Sequence, residues 1–230
     1  MINGKLSREE EKEVVIKRRP DLTPEVCSDL IDKDWEKGIA GKEAQIPRRF
    51  RKALLSDLGN KKTEIVSIIK KIMNTDDDTD KVGVIFSGEV GTGKTHAAYA
   101  VLRSLIHFNP NSVSSMYDYQ GMMLDLKRES FEGRDIEQGY IWDSLVDWSE
   151  SDDNLLFIDD VSSKKMTDFE LERMLMCVNK RVNDFYPTLL TTNIKESEFE
   201  EVFGERLASR LSGSFYIIGF DGKDRRQIKK

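Results

Sequence analysis

Apolar positions are sparse through the first eighty residues and fall at helical spacing, whereas beyond Val82 short apolar runs alternate with longer amphipathic stretches. Ser7, followed by Glu10 three residues later, makes a capping box and predicts a first helix reaching about Arg18, which Pro20 ends. Thr23 and Pro24 supply a cap and a first-turn proline to a second helix that Gly38 can close. Val26, Leu30, Ile31 and Trp35 give that helix only a narrow apolar stripe. Residues 1–41 therefore read as a helical segment with too little apolar surface for a core of its own, better stabilised against a partner or the main domain. Lys42 to Phe50 is a connecting stretch. Ile65, Ile68, Ile69 and Ile72 then recur at helical spacing and predict a helix over Lys61–Asn74. The acidic run Asp76-Asp77-Asp78-Thr79-Asp80 is a solvated loop without the glycine and terminal glutamate of a calcium-binding loop.

From Val82 the pattern switches between periods of two and 3.6. Strands are expected at Val82–Ser87, Ser112–Tyr117, Leu155–Ile158, Pro187–Thr191 and Phe215–Ile218. Helices are expected at Lys94–His107, Tyr119–Glu129, Gly139–Ser149 and Asp168–Asp184, with a short helical pair over Glu196–Leu211. Such alternation predicts an α/β fold, a parallel five-stranded sheet between two layers of helices. Residues 42–230 would make this core. No internal repeat is present.

The first strand runs into Gly88-Glu89-Val90-Gly91-Thr92-Gly93-Lys94-Thr95, which fits GxxxxGK[ST] at every fixed position and opens a helix. Glycines there let backbone N–H groups turn inward around a phosphate, and the helix N-terminus directs its dipole at the same anion. Lys94 is expected at the β- and γ-phosphates of ATP or ADP, and the Thr95 hydroxyl on Mg²⁺. His96, directly behind the loop, is counted with the nucleotide-binding residues. This is a P-loop NTPase pattern.

Asn154 to Asp160 is an apolar strand ending in two acids at the sheet edge where α/β proteins bind ligands. Asp159 is assigned to Mg²⁺ and Asp160 to the attacking water; a helix cap is the plainer reading of such a pair. The next strand ends in Thr191-Thr192-Asn193, ordinary turn chemistry on its own. One strand after the paired acids, Asn193 is placed to hydrogen-bond the γ-phosphate or the water. In Gly204–Leu211, Arg206 and Arg210 are four apart and share a helix face. They are either surface arginines or an arginine finger reaching a neighbouring subunit's nucleotide.

Composition narrows the setting. With 34% charged and 38% hydrophobic residues the chain reads as a polar-surfaced globular protein. Ser7 to Glu13 is too charged for a secretory leader, and no apolar run approaches the ~18 residues of a membrane span. A cytoplasmic location without membrane contact is expected. Cys27 and Cys177 lie far apart and, with only His96 and His107, offer no zinc-ligand cluster. The net charge of −6 is uneven, with basic stretches between Lys42 and Lys71 and from Lys223 to Lys230. Both suit either a nucleic-acid backbone or plain solvation. Tyr117, Tyr119, Phe131, Tyr140 and Trp142, interleaved with Lys127, Arg128 and Arg134, are base-stacking or core residues.

Taken in order, Ile46-Pro47-Arg48-Arg49-Phe50, the phosphate loop, Leu155–Asp160, Asn193 and Glu205–Leu211 resemble the AAA+ ATPases. Within them they are most similar to the DnaC/DnaI-type replicative helicase loaders and the related IstB-like transposition ATPases. The resemblance covers about Gln45 onward. It implies Ile46 and Phe50 beside the adenine, Arg210 as the finger with Arg206 second, and assembly side by side with ATP between subunits. It also implies an N-terminal segment, here residues 1–41, that grips a hexameric replicative helicase, and a core that contacts single-stranded DNA. Two departures stand out. Asp160 replaces the usual glutamate, so slow ATP hydrolysis, stimulated by partner or DNA, is expected. Little follows Arg210 beyond a strand and a tail, so the C-terminal lid domain is expected to be missing. A helicase loader is the leading reading. An IstB-like ATPase assisting a transposase and a nucleotide-dependent helicase adaptor without turnover are the alternatives, and a small-molecule kinase would leave Asn193 and Arg210 idle.

Overall fold

The computed structural model describes residues 36–72, 80–108, 113–131, 140–146, 155–162, 164–222 and 224. The first expected helix, the second up to Trp35, Cys27, the acidic run up to Thr79, Arg134, Lys223 and the basic tail from Arg225 lie outside the described residues.

The apolar alternation becomes a sheet of five strands: β1 (Gly83–Gly88), β2 (Val113–Asp118), β3 (Leu155–Asp159), β4 (Thr188–Thr192) and β5 (Phe215–Phe220). All neighbours are parallel and the order is β2-β3-β4-β1-β5. The helices around it are α1 (Lys62–Ile72), α2 (Lys94–Phe108), α3 (Tyr119–Phe131), α4 (Tyr140–Val146), α5 (Asp168–Asn183) and α6 (Phe199–Ser214). Parallel strands need helical crossovers, and the crossovers cover both faces of the sheet.

Successive strand residues divide between two cores, as a period of two requires. Val84, Phe86, Leu155, Phe157 and Leu189 pack with α1 and α2. Ile85, Leu156, Ile158 and Leu190 pack with α3, α5 and α6. Every residue of β1 and β4 is buried, as expected of strands covered on both faces. Cys177 sits in the second core, where burial pushes its thiol up to about 11, the state of a small apolar residue rather than a reactive one.

Two departures from the sequence reading concern the entry to the core. A helix covers residues 36–45 and so runs past Gly38, where a helix was expected to close. Its far end is tied to α2, where Arg103 Nε and His107 Nε2 meet Glu43 Oε1 at 3.1 and 2.9 Å, and Ile39 packs on the core. Residues Leu55–Lys61 form an unanticipated 3₁₀ segment broken at Gly59, whose φ of 58° lies in the left-handed region.

Local chemistry explains the helix ends on the other side. Thr167 caps α5 and Glu170 reaches back to its N–H at 2.8 Å, a reciprocal capping box. The Lys81 ammonium donates to the Ser212 and Gly213 carbonyls at the end of α6 and to the Phe215 carbonyl at the start of β5. Gly204, at φ 70° and ψ 157°, kinks α6 into the two helical pieces expected there. Among the described residues no helix is long and apolar enough to cross a membrane.

Candidate nucleotide and metal site

The turn from β1 into α2 is a cradle made of backbone. Gly88, Gly91 and Gly93 take φ values of 137°, 80° and 106°, where L-residues are strained. Gly88 is constrained a second time, because a Cβ there would stand 2.2 Å from the Phe220 carbonyl oxygen on β5. Replacing Gly88 by alanine is expected to destabilise the loop by roughly 1–3 kcal/mol and to weaken nucleotide binding, which a melting curve and a fluorescent-nucleotide titration would read together.

Lys94 is almost wholly buried at the start of α2, and its ammonium donates to the Gly88 and Glu89 carbonyls at 2.8 and 2.7 Å. Thr92 donates to Glu89 O at 2.8 Å and closes the turn. The lysine thus stands inside the loop it charges.

Behind the loop stand the two acids. Thr95 Oγ1 donates to Asp159 Oδ1 at 3.0 Å, and Thr191 Oγ1 donates to the same oxygen at 2.5 Å. Burial pushes the Asp159 carboxyl upward, and the two hydroxyl donors act against it. A carboxylate beside a hydroxyl is a hard-oxygen donor pair, the kind Mg²⁺ takes together with phosphate oxygens and water. Asp160 is exposed and takes φ 57°, a left-handed conformation that aspartate tolerates better than most residues. Its N–H donates to Thr191 Oγ1 at 2.8 Å, and Asn193 Nδ2 donates to Asp160 Oδ1 at 2.5 Å. The asparagine and the second acid therefore act as one polar pair at the sheet edge.

Neighbouring contacts bind this edge to the loop. Ser87 Oγ donates to Ile194 O at 2.7 Å, and Lys195 pairs with Glu89 at 3.0 Å. Phe50 stacks on Tyr99 with ring centroids 4.7 Å apart and meets His96 edge-on at 6.4 Å. His96 Nε2 lies 2.9 Å from Asp57 Oδ2, and the Arg49 guanidinium covers the Phe50 ring at 4.5 Å. Ile46 has no exposed surface and packs in the core, while Phe50 is half-buried. Val90, at the tip of the loop, is exposed.

The arginines lie elsewhere. Arg206 and Arg210 are exposed on α6 and line an open groove of about 470 Å³ against α5, with Leu175, Asn179 and Ser209. No residue of the phosphate loop lines that groove. Of the aromatic residues singled out in the sequence, Tyr119 and Trp142 are core residues and not available to stack bases. The Tyr117 hydroxyl bonds Ser144, Phe131 is 89% exposed at the end of α3, and the Tyr140 side chain lies outside the described residues. Sequence reasoning misses Thr191, Ser87 and the Glu89–Lys195 pair. Thr191 stands within Thr191-Thr192-Asn193, a segment whose sequence signal points to the asparagine alone.

No protein-family model matches the chain. Over 144 residues it is 31% identical to the replicative helicase loader DnaC of Escherichia coli strain K12, covering 61% of this chain and 55% of that protein. The chain thus spans about half the length of the curated relatives it matches. The crystal structure of the DnaC helicase loader superposes with a TM-score of 0.60 at 20% identity, over 76% of this chain and 100% of that one. The fold is that of a P-loop AAA+ domain. The crystal structure of DnaI matches the same fold with a TM-score of 0.56 at 20% identity, over 80% of this chain and 99% of that one. The resemblance to the DnaC/DnaI-type loaders read from the motifs is therefore borne out in both sequence and fold.

Proposed function

We propose that this chain is an ATP-dependent loader of a replicative DNA helicase. The observation that carries the reading is the convergence of Lys94, Thr95–Asp159 and Asn193–Asp160 at one sheet edge, in a chain similar to DnaC. Gly88 to Thr95, with His96 at its back, wrap the phosphates, and Phe50 with the segment from Ile46 borders the adenine. Lys94 supplies the fixed positive charge to the β- and γ-phosphates. Thr95 and Asp159 hold Mg²⁺, which when bound neutralises phosphate charge and orients the terminal phosphoryl group. Asp160 orients the attacking water, and Asn193 holds the Asp160 carboxylate in place for that task. Aspartate is one methylene shorter than glutamate, so unassisted turnover is slow.

Arg210, with Arg206 beside it, completes the site of a neighbouring subunit. Their exposure and their separation from the loop of their own chain suit a role in trans. Residues 1–41 grip the hexameric helicase, and the core contacts single-stranded DNA in the cytoplasm.

Light scattering tests the partner. Mixed with the replicative helicase of its host in ATP, the protein is expected to form a stoichiometric complex that is lost on deleting residues 1–41. Absence of a complex in any nucleotide state would remove the helicase from the proposal and leave a transposase as the partner to try.

A further inference from the structure

Thr191 occupies a position in the site that neither its sequence context nor its place in the sheet explains by itself. It is buried in β4, one step beyond the β3–β4 pairing of Ile158 with Leu190, so it lies beside Asp159 across the sheet. A hydroxyl has one proton and two lone pairs. Here the oxygen accepts the Asp160 N–H at 2.8 Å, and the proton goes to Asp159 Oδ1 at 2.5 Å. One side chain therefore fixes the carboxylate of the first acid and the backbone of the second. Thr191 is itself held, since its carbonyl accepts the Val161 N–H at 2.8 Å and its strand partner is Phe86 of β1.

The second donor on Oδ1, the Thr95 hydroxyl at 3.0 Å, has another task in the proposed site. Thr95 can offer a lone pair to a metal while its proton stays on Asp159, so Thr191 is the donor on that carboxylate that has no part in holding the metal. A carboxylate so anchored through Oδ1 presents Oδ2 in a fixed direction. The same hydroxyl holds the N–H of a residue at φ 57°, which needs outside support to stay in that conformation.

We propose that Thr191 is a positioning residue for the metal-binding acid Asp159 and, through the backbone, for the water-orienting acid Asp160. The inference rests on the nucleotide–metal reading of the site and goes beyond it by naming what aims the acids. Groups that orient metal ligands from behind change metal affinity by about 10–100-fold when removed. Valine keeps the shape of threonine and can neither donate to Asp159 nor accept from Asp160. Serine can do both.

The test uses Mn²⁺ as a spin probe on the ADP-bound full chain, with ADP affinity measured separately in EDTA. Thr191→Val is expected to weaken Mn²⁺ binding by about ten-fold or more while leaving metal-free ADP affinity unchanged, and Thr191→Ser to restore the metal. Wild-type Mn²⁺ affinity in a folded Thr191→Val protein would overturn the inference and leave the nucleotide site standing. So would a parallel loss of metal and metal-free nucleotide, which marks a merely structural role. A wild-type chain that binds no nucleotide would sink the site and the inference together. If the valine variant does not fold, Thr191→Cys, near in shape and a weak donor, is measured against serine with the same criteria.

Discussion

Lys94→Ala is expected to reduce ATP affinity by at least about 100-fold and to abolish phosphate release. Geometry sets the size of the loss. The ammonium lies inside the glycine cradle, in reach of the two successive carbonyls of Gly88 and Glu89 at the start of the loop. A hydrogen bond to a charged group is worth about 1.5–3 kcal/mol, and a lysine bridging two phosphates makes two of them. Roughly 3 kcal/mol is two orders of magnitude in affinity. The change removes two contacts to loop carbonyls, so a small fall in melting temperature will accompany it. Titration with a fluorescent nucleotide and a phosphate-release assay would read the two losses. A variant that bound ATP within a few-fold of wild type would show that the loop is not the nucleotide site.

The largest effect on stability is expected at the far end of the sheet. Arg181 on α5 is completely buried, and its guanidinium donates to Thr188 Oγ1, Leu145 O and Pro187 O at 2.7, 2.9 and 2.7 Å. Those acceptors belong to the start of β4, the end of α4 and the turn between α5 and β4. Burial lowers the guanidinium to about 10, still well above neutral pH, so it stays charged. Arg181→Met keeps much of the volume and removes three donated bonds, although Pro187 O keeps the Leu156 N–H at 3.1 Å and Thr188 Oγ1 still donates to Tyr186 O at 3.0 Å. A cost of about 3 kcal/mol is expected, since a hydrogen bond from a charged group is worth about 1.5–3 kcal/mol and the remaining partners soften the loss. Urea unfolding should show a lower midpoint with little change in slope. An unchanged midpoint would mean that water or a neighbouring group takes over the guanidinium's contacts.

The contrast between these two cations marks where sequence reading reaches its limit. Lys94 is legible because four fixed residues around it leave few alternatives, and because the loop must follow a strand and open a helix. Strands β1 and β3 are legible for a similar reason, since burial on both faces writes short apolar runs, whereas the edge strands β2 and β5 are only partly buried and carry a broken pattern. Arg181 is not legible. It sits in a helix rich in charged residues, where a periodic pattern places an arginine in solvent, and only the packing of α4 and β4 over it makes it a core residue. Gly38 misleads in the opposite sense. A glycine after an apolar stripe reads as a stop, yet contacts from Arg103 and His107, some sixty residues away in sequence, hold the helix together to Gln45. Tyr119 and Trp142 belong with Arg181, because aromatic residues among cations have the same local pattern whether they face solvent or core. Thr191 shows a subtler limit. Its segment draws notice, but a threonine that works through two other residues carries no motif of its own.

The strand order carries a consequence for how the chain is made. β1, which bears the phosphate loop, pairs on one side with β4 and on the other with β5, so Gly83 lies opposite both Thr188 and Phe215. Neither neighbour is synthesised until more than a hundred residues later. A nascent chain therefore holds its nucleotide-binding strand unpaired until β4 has been made, and long-range parallel pairing of this kind closes slowly. The carbonyl that packs against Gly88 comes from Phe220 at the end of β5. The cradle is thus finished by nearly the last piece of sheet to leave the ribosome, and a chain interrupted before that strand would lack a wall of its nucleotide site.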